Sequence, residues 1–217
     1  MSNIEEVKFK IFKKRNSYYW TNTSIVYAIC FGCLFIYFFK LIVLNIEDSG
    51  IFDKILFYGV IGAIAYGIIM GVSGFVRYQP LKGKIEGELI LERDKITLDN
   101  KIYHLNDISQ IKILNYDFYG RFKPPVRGSF EASLSRGVGN EIEIKLFNGE
   151  TIKNSFYQFN RNDISVAKKH LFYYYLNQKI MFFDLAKILD KSSDWQIEIL
   201  KRELNLFREE LAQESIL

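Results

Sequence analysis

Two kinds of hydrophobic pattern divide the chain. From Ile25 to Ile46 the residues IVYAICFGCLFIYFFKLIVLNI are apolar save for Lys40 and the penultimate Asn45, and from Ile55 to Val76 the 22 residues ILFYGVIGAIAYGIIMGVSGFV carry no charge. At the helical rise the second block is about 33 Å long, against a bilayer hydrocarbon core of about 30 Å. Two transmembrane helices are predicted, joined by the connector NIEDSGIFDK. Past Pro80 the period falls to two: GKIEGELILERD, KITL, KIYHL, ISQIKILNYDFYG, EIEIKLF and ETIKNSFYQF alternate apolar and polar positions. Asp99-Asn100 and Asn148-Gly149 between such runs are hairpin signals. These runs predict a small antiparallel β-barrel or sandwich of about seven strands with one buried face. The pattern turns helical in NDISVAKKHLFYYYLNQKIMFF, where Asn162 or Asp163 is the expected cap, and again from Ser193, where Gln196 completes a capping box.

The domain plan is therefore a basic N-terminus (1–24), a two-helix hairpin (25–79), a β-domain with a closing helix (80–181) and a C-terminal helical segment (182–217). Within the second apolar block Gly59, Ala63, Gly67 and Gly71 recur every fourth residue, a stripe of small side chains that lets helix backbones approach in lipid. The stripe packs either against the first helix or against a second copy in a homo-oligomer. In the last helix Ile197, Leu200, Leu204, Phe207 and Leu211 follow steps of three and four. That stripe packs either on its own domain or on another protomer.

Charge sets the orientation. Lys8, Lys10, Lys13, Lys14 and Arg15 precede the first apolar block, whereas the connector holds Glu47, Asp48 and Asp53 against Lys54, and Arg77, Lys82 and Lys84 follow the second. The positive-inside bias predicts both termini on the cytoplasmic side, with Tyr18, Tyr19 and Trp20 as an interfacial belt. Lys40 is expected to snorkel to the outer headgroups or to line a pore. The net charge of +4 belongs mostly to the membrane end, since the first 80 residues hold eight Lys/Arg against five Asp/Glu, and gives no ground for direct nucleic-acid binding.

Candidate chemistry is sparse. Cys30 and Cys33 form a CxxC, but they lie in an apolar helix with only His104 and His170 elsewhere, so packing is expected in place of metal or redox work. Phosphate-loop, GxSxG and HExxH motifs are absent, so no catalytic residue, cofactor or metal is assigned. One loop, RFKPPVRGSFEASLSRGVGN, gathers Arg121, Lys123, Arg127 and Arg136 against the single acid Glu131. Either these four hold an anionic ligand or headgroup, or the loop is a solvated connection.

The order of elements, with GELILERDKITL and KIYHLNDISQIKIL, the Asn-Gly hairpin and a closing helix, resembles bacterial membrane proteins with a pleckstrin-homology-like domain. It is also similar, more loosely, to two-span membrane effectors of antiphage signalling systems. The resemblance implies a bacterial inner-membrane protein whose β-domain senses a ligand such as a cyclic nucleotide, or a protein partner, and whose helices oligomerise and perturb the lipid bilayer. The alternative is a passive anchor or scaffold that holds a protein partner or lipid headgroups.

Overall fold

The computed structural model describes residues 6–15, 19–46 and 50–214, and these form two compact units. Tyr18, Glu47 and Asp48, named above for the interfacial belt and the acidic connector, lie outside the described residues. The β-unit comprises residues up to Arg15, Leu81–Arg121 and Arg136–Leu217, and the helical unit comprises Asn16–Pro80 and Phe122–Ser135.

The β-unit begins before the apolar blocks. Val7–Lys14 is a strand, β1, because VKFKIFKK alternates Val7, Phe9 and Ile11 with lysines, and Phe9, Ile11 and Phe12 are buried. It pairs antiparallel with β2 (Gly83–Leu91) from Val7↔Leu91 to Lys14↔Gly83. Between Lys10↔Glu88 and Phe12↔Ile85 the register shifts around Gly87, whose φ of +90° is open to glycine and whose missing side chain leaves room for Asp99. The segment read as a basic flank is thus a central strand: its lysines face outward and pair across the ladder, Lys10 with Glu88 and Lys13 with Asp99.

Seven strands make one sheet, in the order β4-β3-β2-β1-β9-β8-β5. The others are β3 (Lys95–Leu98), β4 (Lys101–His104), β5 (Ile108–Leu114), β8 (Asn140–Leu146) and β9 (Thr151–Phe156). A two-stranded ribbon of β6 (Tyr119–Phe122) and β7 (Leu134–Arg136) stands apart. The expected barrel does not close. β4 and β5 remain at opposite ends, and the outer edge of β5 is met by Lys179, whose carbonyl accepts the Ile111 N–H at 2.7 Å. Asp99 and Asn100 both take positive φ, the turn geometry their sequence predicted.

Three helices cover the buried face: α3 (Lys168–Leu176), α4 (Phe182–Ile188) and α5 (Asp194–Glu214). The helix expected to run unbroken to Phe183 is split at Gln178, whose φ is +59°. Asp163 accepts from Phe159 and Asn160 N–H groups, so it closes the preceding turn and does not cap α3. At α5, Gln196 accepts from the Ser192 and Ser193 N–H groups, which is half of the expected box. Leu200, Leu204 and Phe207 are buried in the domain core, with Ile197 and Leu211 partly so, and Phe207 meets Phe172 edge-on at 5.7 Å. The C-terminal stripe is therefore consumed by its own domain.

In the helical unit, α1 (Asn22–Ile42) and α2 (Ile51–Gly74) pack as a pair, each long and apolar enough to cross a membrane. Their outer faces are exposed and apolar; Phe35, Ile42, Ile51 and Phe57 are among the side chains left uncovered. Lys40, expected to reach the headgroups or to line a pore, is 4% exposed, and its Nζ donates to both carboxylate oxygens of Asp53 at 2.7 Å across the pair. Asp53 sits in the first turn of α2, where the helix dipole favours a carboxylate.

Candidate functional site

Each unit carries one feature built from buried polar or closely packed groups. In the β-unit, three polar residues are withdrawn from solvent at one end of the sheet: Asp117, Asn140 and Gln158. Asn140, the first residue of β8, is the organiser. Its Oδ1 accepts from the N–H groups of Tyr116 and Asp117 at 3.2 and 2.8 Å, and its Nδ2 donates to the Asp117 carbonyl at 2.8 Å. The Asp117 Oδ2 in turn accepts from the Gly139 N–H at 2.8 Å. Gly137, at φ +72°, packs on the Gln158 carbonyl so closely that a Cβ there would lie 2.2 Å from that oxygen.

These bonds fix the wall of a cavity of about 260 Å³ lined by Asn115, Tyr116, Asp117, Phe118, Arg121, Gln158, Arg161 and Asp190. Asn115 Nδ2 donates to the Ile188 carbonyl at 2.9 Å and ties the end of α4 to this wall. Arg161 forms an ion pair with Asp190, which holds a left-handed φ of +55°. The Gln158 Nε2 is buried without a hydrogen-bond partner among the described residues. Two guanidinium groups, two carboxylates and an unsatisfied amide suit a small polar ligand held by hydrogen bonds and charge.

The four basic residues singled out in the sequence do not share one place. Arg121 lines the cavity and Arg136 ends β7 in the same unit, whereas Lys123 and Arg127 belong with the helices. Arg161, Gln158 and Asp117 carried no sequence signal as a set; Gln158 and Arg161 share the turn after β9, whereas Asp117 lies between β5 and β6, and the sheet brings the two stretches together. His170, near Arg161 in sequence, does not line this cavity: it is buried in α3 with both ring nitrogens unpartnered among the described residues, and burial holds its pKa below the usual value.

The feature of the helical unit is a strap, residues Phe122–Ser135, that leaves the ribbon and lies along the helix pair. The Phe130 N–H donates to Thr23 Oγ1 at 2.9 Å, and the Asn22 amide donates to the Phe130 carbonyl at 3.3 Å. Glu131 Oε1 accepts from the Thr23 N–H at 3.0 Å and from its hydroxyl at 3.2 Å, so this acid caps the first turn of α1 from a distant part of the chain. The Ser133 N–H donates to the Gly74 carbonyl at 2.8 Å, and the Leu134 N–H to that of Arg77 at 3.1 Å.

The strap explains the small-residue stripe of α2. A Cβ at Gly67 would lie 3.1 Å from the Phe130 ring, one at Gly71 3.6 Å, and one at Gly74 only 2.7 Å from the Glu131 carbonyl. A Cβ at Gly59 would meet Cys33 Sγ of α1 at 3.2 Å, while Ala63 is buried. The stripe is filled within the chain, by α1 toward the connector and by Phe130 toward the opposite end. Comparisons with protein-family models, curated proteins and solved structures gave no match, so the residues themselves carry the functional reading.

Proposed function

We propose that this chain is a two-span, non-enzymatic membrane effector, tethered so that its β-unit lies on one side of the bilayer and takes a small polar ligand in the cavity at Arg121. The observation that supports the reading most is the strap. It begins at Phe122, directly after a cavity residue, and seats Phe130 in the groove of α2. A ligand that moves Arg121 pulls on the strap through the chain itself, and displacing Phe130 uncovers Gly67 and Gly71, the surface at which helices associate in lipid. Homo-oligomerisation and a change in bilayer permeability are the proposed output.

The experiment expresses wild type, Phe130→Ala and Gly67→Leu at matched levels in bacteria and follows membrane potential with a dye, alongside crosslinking. An effector predicts that the strap variants change both permeability and the crosslinked species relative to wild type. Permeability equal to the empty-vector control in all three, with each protein inserted and folded, identifies a passive anchor or scaffold instead.

A further inference from the structure

The outer bend of the strap is exposed, apolar and basic. Val126 through Ser129 form a turn closed by the Ser129 N–H donating to the Val126 carbonyl at 2.9 Å, with Gly128 at φ +80° in the position a type II turn reserves for glycine. Val126 is 79% exposed, Pro124, Pro125 and Arg127 are exposed, and Lys123 stands on the other side of the prolines. From Phe122 to Phe130 there are two basic residues and no acid. The two prolines also remove two N–H donors from a segment that would otherwise have to satisfy them.

The depth of this bend along the helices is fixed by contacts inside the helical unit. Tyr27 donates its hydroxyl to the Gly128 carbonyl at 3.3 Å, five residues into α1, which is about 7 Å along the axis. Phe130 reaches Gly67, seven residues before the end of α2, or about 10 Å along that axis. The bend therefore lies beside the first turns of α1 and the last turns of α2, the helix ends next to which Trp20 and Phe75 are exposed. An uncovered valine flanked by Lys and Arg at that level fits the boundary between acyl chains and headgroups, where apolar side chains enter and cations meet phosphates.

We infer that the strap bend is a lipid-docking element: Val126 enters the leaflet on the β-unit's side, and Lys123 and Arg127 engage the phosphates of anionic phospholipids. The inference rests on the proposal that α1 and α2 span the bilayer, so its test carries a control for that proposal. The full chain with Cys30→Ala and Cys33→Ala is spin-labelled at Val126→Cys or, separately, at Ile64→Cys in the middle of α2. Each is reconstituted in vesicles of phosphatidylcholine with or without phosphatidylglycerol, and collisions with oxygen and with an aqueous nickel chelate are compared.

The expected result is oxygen-dominated collision at both sites. At position 126 the label moves deeper when phosphatidylglycerol is present, and Lys123→Gln with Arg127→Gln abolishes that shift. Lipid character at 64 with nickel-dominated, water-like collision at 126 overturns the inference while leaving the spans in place. Water-like collision at 64 overturns both. A lipid-embedded 126 that ignores phosphatidylglycerol overturns the headgroup role of the two cations.

Discussion

The Arg15 N–H donates to the Lys82 carbonyl at 2.9 Å, one step beyond the Lys14↔Gly83 pair that ends the β1–β2 ladder. The chain thus leaves the sheet and returns to it at adjacent points, and both apolar helices are an excursion between hydrogen-bonded neighbours. A ladder cannot form across a bilayer, so any membrane crossing in that excursion must occur an even number of times.

This relation yields the topology prediction. Cysteine at Ile46, in the connector, should react with a membrane-impermeant thiol reagent applied to intact cells, and cysteine at Asn148, in the β8–β9 turn, should react only after lysis. Reporters fused before Met1 and after Leu217 should give the same side. Termini on opposite sides would contradict the pairing of β1 with β2, whatever the charge bias says.

The Lys40–Asp53 pair makes a second prediction. Removing one partner of a buried ion pair leaves an uncompensated charge, whereas removing both can be nearly neutral. Lys40→Met alone should lower the stability of the helical unit in detergent by about 3 kcal/mol, and Lys40→Met with Asp53→Asn should recover most of it. A double variant no better than the single one would show that Asp53 acts through other neighbours.

The glycine groove gives a third. Phe130→Ala should cost about 2 kcal/mol, below the range for a fully buried phenylalanine because the residue is not fully buried. Gly67→Leu should cost more, because its side chain and the ring claim the same space. In the Phe130→Ala background the same leucine fills the vacated volume, so the two costs should not add. Thermal unfolding in detergent and trypsin cleavage after Arg127 read this coupling. Additive costs would mean that the ring and Gly67 do not share a site.

Much of this architecture was legible in the sequence where a single period ran for several residues. The lengths of the two apolar helices, the Asp99-Asn100 turn and the stripe Leu200, Leu204, Phe207 all follow from local spacing. Long-range partners were not legible. β1 was hidden because alternating lysines in VKFKIFKK satisfy a strand and a positive flank equally well. Glu131 looked like a minority charge in a basic loop, although it caps α1 more than a hundred residues earlier. The glycine stripe announced a close approach without saying of what, and the answer is a phenylalanine in place of a helix. Of the cavity, only Arg121 stood in a run that drew notice as a binding loop; Asp117, the pair Gln158 and Arg161, and Asp190 lie on three separate stretches of chain.

The buried histidine makes the last prediction. His170 is 1% exposed, its two ring nitrogens have no partner among the described residues, and desolvation lowers its pKa in the folded state. The unfolded chain binds a proton there below about pH 6.5, while the folded chain resists it, so the unfolded state holds more protons in that window. The sign is then fixed: the contribution of neutral His170 is complete above that pH and is lost as pH falls toward the depressed folded value. Denaturant unfolding of the full chain in detergent, followed by Trp195 fluorescence in α5, should show stability declining from pH 7 to pH 5. His170→Leu should flatten that decline and raise stability at pH 7 by about 1 kcal/mol, because a buried polar ring without hydrogen bonds is replaced by an apolar side chain of similar size. An unchanged slope in the variant would show that the acid sensitivity between pH 7 and pH 5 does not arise in the core of α3.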